Sequence, residues 1–258
     1  MKAVFFAGGL GTRLSEETSL RPKPMVEVAG KPILWHIMKM YSMHGINDFV
    51  VLGGYKVDFV RQYFLNYAAN SGDFTVDLAT GEVIWRKTNS ESWRVTVVDT
   101  GVDTMTGGRL KRARDLIGDQ TFCLTYGDGV SDVDITKLIA FHKQQKTMAT
   151  VTAVSPPGRF GVLGFSPDGK KIDAFREKDS VDVGLINGGF FVCEPSVIDL
   201  VDDDATVWEQ APMNRLVEMG QLSAYKHHGF WQAMDTVRDR AVLEAAYAKG
   251  APWLKKPI

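Results

Sequence analysis

The chain has 258 residues, 30 Lys plus Arg against 31 Asp plus Glu, a net charge of −1 and 45% hydrophobic residues. That length carries one large α/β domain or two small ones, and the apolar fraction is enough for a full core rather than a disordered chain. The charge balance leaves no footprint for nucleic acid or an anionic membrane, so any phosphate site must come from local cations. Cys123 and Cys193 lie in apolar runs with no CxxC spacing and no disulfide framework, which suits a reducing cytosol. The apolar run Ala3 to Ala7 is too short for a signal peptide, and no run approaches the roughly 18 residues of a membrane span. A cytoplasmic protein is expected.

The run Ala3 to Ala7 has the length of a short buried strand and stops at Gly8-Gly9. Gly8, Gly9 and Gly11 let a ligand approach the main chain, and successive N–H groups in such a turn can form a nest for an anion. Arg13 offers a planar fork of donors matched to phosphate oxygens, and Lys23 is a point charge between Pro22 and Pro24 on a stiff segment. A strand, a glycine turn and two cations make a polyphosphate site. Two better-known glycine motifs do not fit. The dinucleotide fingerprint needs a Gly where Leu14 stands. A phosphate-binding P-loop needs a Gly where Met25 precedes Gly30-Lys31, and needs a hydroxyl where Lys171 follows Gly164 to Lys170.

Further along, Pro32 suits a first helical position, and Ile33, Leu34, Ile37, Met38 and Tyr41 recur at helix spacing before Gly45. Ile46 to Leu52 predicts a strand, and Asp58 to Ala68 a second helix. This alternation predicts a three-layer, Rossmann-like, mixed but mainly parallel sheet with helices on both faces, whose ligands bind beyond the carboxyl ends of the strands. Ser71 to Trp93 predicts an excursion of short strands, with Trp85 and Trp93 in packing or subunit contacts. Arg94 to Asp99 is a strand. Arg109 then stands near the start of a helix, where it could serve an anion or, with Lys111, Arg112 and Arg114, form one solvated basic face; the residues alone favour the face.

Thr121 to Tyr126 predicts a buried strand ended by Gly127-Asp128-Gly129. An acid there is placed to hold a metal over phosphates; the plain alternative is a turn Asp bonding its own backbone. Asp134 reads as a helix N-cap, Met148 to Val154 as a strand, and Asn187-Gly188 as a turn. Pro195 to Val201 and Trp208 to Met219 predict peripheral helices, and Leu222 to Lys226 a late strand. Asp235 precedes a helix ending near Gly250, where an N-cap is its plain role. Trp231 is expected as a buried structural residue. No internal repeat or linker is visible, so a single domain over residues 1–258 is expected.

The stretch from the glycine turn through Thr12-Arg13-Leu14 to Pro22-Lys23-Pro24 resembles the signature of the sugar-1-phosphate nucleotidyltransferases. The runs EVAGKPILWHIMKMYSMHGI, TGGRLKR, TYGDGV and GFWQAMDT extend the resemblance over nearly the whole chain, within the branch that joins CTP to glucose 1-phosphate. The resemblance implies CDP-glucose and pyrophosphate as products, Mg²⁺ as cofactor, and a homo-oligomer, in this branch a hexamer, serving dideoxysugar and O-antigen synthesis. It implies a nucleotide part over about 1–130, with contacts from Phe6, Ala7, Gly8, Gly9, Leu10, Gly11, Thr12, Arg13, Lys23, Thr104, Arg109 and Gly127. It implies a sugar-phosphate part over about 131–258, with contacts from Gly161, Glu177, Lys178, Asn187 and Gly188, and offers packing near the sugar as a second reading of Trp231. Asp128 and Asp235 become the metal ligands, and these two with Arg13 and Lys23 the catalytic group. Asp179 and Ala233 stand where that family usually has Pro. The alternatives are the same chemistry with UTP or dTTP, and a regulatory protein that binds sugar nucleotides without turnover.

Overall fold

The computed structural model describes residues 1–156, 162–165, 172–176 and 184–255. Gly161, Glu177, Lys178 and Asp179 lie outside these residues. The main sheet has seven strands among the described residues: β1 (Lys2–Ala7), β2 (Asp48–Gly53), β3 (Arg94–Asp99), β4 (Phe122–Tyr126), β5 (Ala149–Val154), β6 (Ile186–Cys193) and β7 (Leu222–His227). Their order across the sheet is β7-β5-β6-β4-β1-β2-β3. Every neighbouring pair is parallel except the two made by β6, which runs antiparallel to β5 and to β4. The expected mixed, mainly parallel sheet is therefore what forms.

The alternation of side chains along a strand feeds two cores. Ala3, Phe5 and Ala7 of β1 enter one, with Val51, Phe190 and Val192; Val4 and Phe6 enter the other, with Val50, Leu52 and Leu124. The first core is closed by α1 (Ile33–Met43) and α2 (Val57–Leu65), and later by the helices Ile135–Gln145 and Val237–Ala248. The second is closed by Leu110 of the helix Thr106–Arg112 and Leu216 of the helix Ala211–Glu218. Numbered in chain order, Thr106–Arg112 is α3, Ile135–Gln145 α4, Ala211–Glu218 α5 and Val237–Ala248 α6. All five apolar positions expected on the face of α1 are buried. Asp134 caps α4 by accepting from the Lys137 N–H at 3.0 Å.

Local chemistry moves several boundaries. Lys31–Pro32 pairs with Glu27–Val28, so α1 starts one residue after Pro32. The helix expected over Asp58 to Ala68 breaks at Asn66, whose φ −95 and ψ 8 leave the helical region; a separate turn of helix follows at Tyr67–Ser71. The segment Pro195–Leu200 is a 3-10 helix, and the helix expected from Trp208 begins only at Ala211, where Pro212 fits the first turn. Asn187-Gly188 lies inside β6 rather than in a turn. The positive φ of 84° falls at Gly189, beside a register shift against β5. The excursion after residue 71 is a two-stranded arm, Gly72–Val76 against Val83–Thr88. No helix among the described residues is long and apolar enough to cross a membrane.

The chain leaves β1 toward β2 on one side, and leaves β4 toward β5 and β6 on the other. Their carboxyl ends therefore border a crevice at a topological switch point, where open α/β sheets bind ligands. Phe5 packs at the centre below it, edge-on to Tyr41 and Phe49. Phe5→Ala should lower unfolding free energy by about 3–5 kcal/mol, read from a shift in denaturation midpoint at unchanged slope.

Candidate active site

The crevice is built from four segments that meet above β1 and β4. After β1, Gly11 takes the left-handed conformation at φ 65, and a Cβ there would lie 2.7 Å from Thr18 Cγ2. Thr18 Oγ1 bonds the carbonyls of Gly11 and Leu14 at 3.0 and 3.1 Å and holds the turn closed. Gly8 serves a different need. A Cβ on Gly8 would lie 2.2 Å from Arg109 Nη1, and one on Gly54 2.3 Å from the same atom. Arg109 is buried and donates to the carbonyls of Gly8, Gly53, Gly101 and Val102 and to Thr100 Oγ1. It locks the glycine turn to the ends of β2 and β3.

Lys23 sits in the turn Lys23–Met25 and is almost buried. Its Nζ donates to Asp128 Oδ2 at 2.7 Å and to Asp235 Oδ1 at 2.6 Å. Burial opposes the ammonium charge, but the Asp128 and Asp235 carboxylates outweigh it and raise the Lys23 pKa. Arg13 Nη2 lies 3.0 Å from Asp235 Oδ1 with its side chain 72% exposed, so this cation faces the crevice while Lys23 forms its floor. The two acids come together because Gly129–Ser131 pairs with Trp231–Ala233, and Met234 N–H donates to the Asp128 carbonyl at 2.8 Å. Asp235 is not the helix cap. Thr236 caps α6 in a capping box with Asp239, and Asp239 Oδ2 also accepts from the Asp235 N–H at 3.1 Å.

Two cavities open on this group. The larger, of about 620 Å³, is lined by Phe6, Ala7, Gly8, Gly9, Leu10, Gly11, Thr12, Arg13, Lys23, Thr104, Arg109 and Gly127, together with Asp128 and Asp235. The residues expected from the resemblance as nucleotide contacts are thus all brought to one place. The smaller, of about 220 Å³, is lined by Asn187, Gly188, Trp231 and Ala233. Arg13, Tyr126, Asp128 and Asp235 line both.

Trp231, expected as a buried structural residue, is half-buried on the smaller cavity and donates from Nε1 to the Gly188 carbonyl at 2.8 Å. Sequence reasoning missed Tyr126 and Asp239. The Thr-x-x-Asp spacing of a capping box was a readable signal for Asp239; nothing local marks Tyr126 beyond its place before Gly127. Arg109 does not join the basic face expected with its neighbours. Arg109 turns inward, while Lys111, Arg112 and Arg114 each bond the segment 199–204.

No cluster of three or more His, Cys, Asp or Glu able to hold a metal exists among the described residues. The Asp128–Asp235 pair is a donor set of another kind. Mg²⁺ is commonly held by one or two carboxylates, with substrate phosphates and water completing its octahedron, and two carboxylates touching one nitrogen fit that requirement.

The family model described as nucleotidyl transferase matches residues 2–236, and the chain belongs to that family. It is 54% identical over 255 residues to the glucose-1-phosphate cytidylyltransferase of Salmonella typhi, with 98% of both chains covered. It is 44% identical over 251 residues to the probable glucose-1-phosphate cytidylyltransferase of Bacillus subtilis, with 97% of both covered. The crystal structure of HddC from Yersinia pseudotuberculosis shares the fold, with a TM-score of 0.71 at 22% identity over 95% of this chain and 99% of that one.

The glycine geometry separates two neighbours. Gly8→Ala drives a methyl into Arg109 and should cost about 1–3 kcal/mol and weaken nucleotide binding. A Cβ on Gly9 meets nothing within 4 Å, so Gly9→Ala should stay within about 0.5 kcal/mol of wild type. Thermal denaturation of both variants and nucleotide titration check the contrast.

Proposed function

We propose that this protein transfers the cytidylyl group of CTP to α-D-glucose 1-phosphate, giving CDP-glucose and pyrophosphate. The observation that carries the reading is a cation–carboxylate group in which Arg13, Asp128 and Asp235 line both cavities and Lys23, on the larger one, bridges the two carboxylates. A nucleotidyltransferase needs such a junction, because two anionic substrates must meet phosphate to phosphate. The choice of CTP and glucose 1-phosphate is supported by the 54% identity to the Salmonella typhi cytidylyltransferase over 98% of both chains.

On this reading CTP occupies the larger cavity, with residues 1–130 as the nucleotide part, and the sugar occupies the smaller, with residues 131–258 as the sugar-phosphate part. Asn187 and Gly188 face the sugar; Gly161, Glu177 and Lys178 join them by resemblance. The nucleophile is a phosphate oxygen of glucose 1-phosphate. Its monoester has a second pKa near ~6, so it is ionised at neutral pH and needs no general base. That oxygen attacks the α-phosphorus of CTP in line with the departing pyrophosphate. The bond from the α-phosphorus to the bridging oxygen breaks, and pyrophosphate leaves with the electron pair. The chain's task is alignment and charge screening. Lys23 neutralises charge beside the α-phosphate, Arg13 meets the departing pyrophosphate, and the main chain of Gly8 to Thr12 cradles the nucleotide. Asp128 and Asp235 would hold Mg²⁺, which when bound withdraws charge from phosphate oxygens.

We also propose that the protein works as a homo-oligomer. The arm Gly72–Val76/Val83–Thr88 exposes Phe74, Val76, Val83, Ile84 and Trp85. β3 is one edge of the sheet, and beside it a groove of about 390 Å³ is lined by Phe64, Leu65, Trp93, Val95 and Val97. Apolar surface next to an unpaired sheet edge favours contact between copies.

Pyrophosphate release with Mg²⁺, measured for CTP, UTP, dTTP, ATP and GTP against glucose, galactose and mannose 1-phosphates, tests the function. Turnover led by CTP with glucose 1-phosphate is expected; turnover led by another pair discards the assigned substrates. Lys23→Ala, Asp128→Asn and Asp235→Asn should each lower kcat by about 10²–10³ in folded protein, and near-normal kcat in all three would discard the roles.

A further inference from the structure

Tyr126, the last residue of β4, stands between the two cavities. Its ring is gripped by Phe6 and Phe191, with centroids 5.8 and 6.2 Å away. β6 presses on it closely: a Cβ at Gly189 would lie 2.6 Å from Tyr126 Cδ2. The ring has little freedom, and its hydroxyl is held in one place.

That hydroxyl has one hydrogen and two partners. It donates to Glu209 Oε1 at 2.6 Å and accepts from Asn187 Nδ2 at 3.2 Å. A hydrogen bond to a carboxylate is roughly twice as strong as a neutral one, so the phenolic hydrogen belongs to Glu209. The phenol oxygen is then an acceptor toward Asn187. Asn187 Oδ1 accepts from the Gly189 N–H at 2.8 Å. Both ends of the amide are therefore defined. One Nδ2 hydrogen goes to Tyr126, and the second remains for the small cavity that Asn187 lines. Burial, reinforced by Glu209, holds the Tyr126 phenol well above its ordinary pKa and keeps it a donor.

Glu209 itself lines neither cavity. Its other oxygen, Oε2, accepts from Thr106 Oγ1 at 2.7 Å, and Thr106 Oγ1 accepts from the Trp208 N–H at 2.9 Å. The carboxylate is thereby anchored to the first residue of α3. Without it, the phenolic hydrogen is free to turn toward Asn187, where it opposes the Nδ2 donor and pushes the amide off its position, with only the Gly189 N–H left to hold Oδ1.

We infer that Glu209 is a positioning residue for the sugar. Through Tyr126 it fixes the Asn187 amide so that an N–H points to a hydroxyl oxygen of the sugar 1-phosphate. The inference rests on the reading that the sugar occupies the smaller cavity.

The test is steady-state kinetics on wild type, Glu209→Ala, Glu209→Gln, Tyr126→Phe, Asn187→Ala and the double variant Glu209→Ala/Asn187→Ala, with KM for each substrate measured separately. The Glu209 side chain is exposed and Tyr126→Phe keeps the ring packing, so folding is not at stake. Glu209→Ala and Tyr126→Phe should raise KM for glucose 1-phosphate about five- to tenfold, with kcat and KM for CTP within about threefold. Glu209→Gln should recover part of the loss, because its amide oxygen can still accept from the phenol. The double variant should be no worse than Asn187→Ala alone. Penalties that multiply in the double variant, or a KM for CTP that rises as much as that for the sugar phosphate, would overturn the inference. A wild type that turns over no substrate pair would remove the underlying function and this inference with it.

Discussion

The structure depends on one ammonium group held between two carboxylates. Lys23 comes from the turn Lys23–Met25, Asp128 from the end of β4 and Asp235 from the entrance to α6, and they meet at 2.7 and 2.6 Å. Two carboxylates that touch one nitrogen lie within about 5 Å of each other, where like charges repel by about 3 kcal/mol at an effective dielectric near 20. Lys23 offsets that repulsion, and removing it would leave two neighbouring charges partly out of water without their main partner. Arg13, mostly exposed, adds a second cation on the solvent side. On the proposed reading this is a balanced charge set waiting for substrates. Incoming phosphates are drawn to Lys23 and Arg13, while the carboxylates can take a divalent cation.

The fold delivers the three groups by separate devices that reinforce one another. The central position of β1 and the switch point beside β4 put the glycine turn and Asp128 on the same crevice. The ladder Gly129–Ser131/Trp231–Ala233 pulls the segment bearing Asp235 across the sheet. The capping box takes the helix-capping duty away from Asp235 and gives it to Thr236, so the carboxylate points to Lys23. Arg109 plays the matching part on the other side, cross-linking the glycine turn to the ends of β2 and β3 through backbone carbonyls.

What could be read from the sequence was mainly what is local. The strand Ala3 to Ala7, the apolar stripe of α1, the cap at Asp134 and the glycine turn declare themselves within a few residues, and so does a lysine between two prolines. Asn187-Gly188 misled because the pair is an ordinary turn signal, while here Ile186 and Asn187 pair with Val154 and Ala153 of β5, which keeps the chain extended and moves the bend to Gly189. Arg109 misled for the opposite reason. Its neighbours make it look like one of a row of surface charges, and only the carbonyls of Gly8, Gly53, Gly101 and Val102, distant in sequence, explain its burial. The nucleotide side was legible as a set because it is mostly one contiguous loop. The sugar side was less so, because Tyr126, Asn187, Trp231 and Glu209 converge from four separate segments.

The central claim is that this charge group is where the two substrates are joined. The most direct measurement is a crystal structure of the protein with CDP-glucose and Mg²⁺. The account predicts cytidine in the cavity walled by the glycine turn, glucose against Asn187 and Trp231, and the diphosphate at Lys23, Asp128 and Asp235. A product bound elsewhere, or with its diphosphate remote from these three side chains, would contradict it.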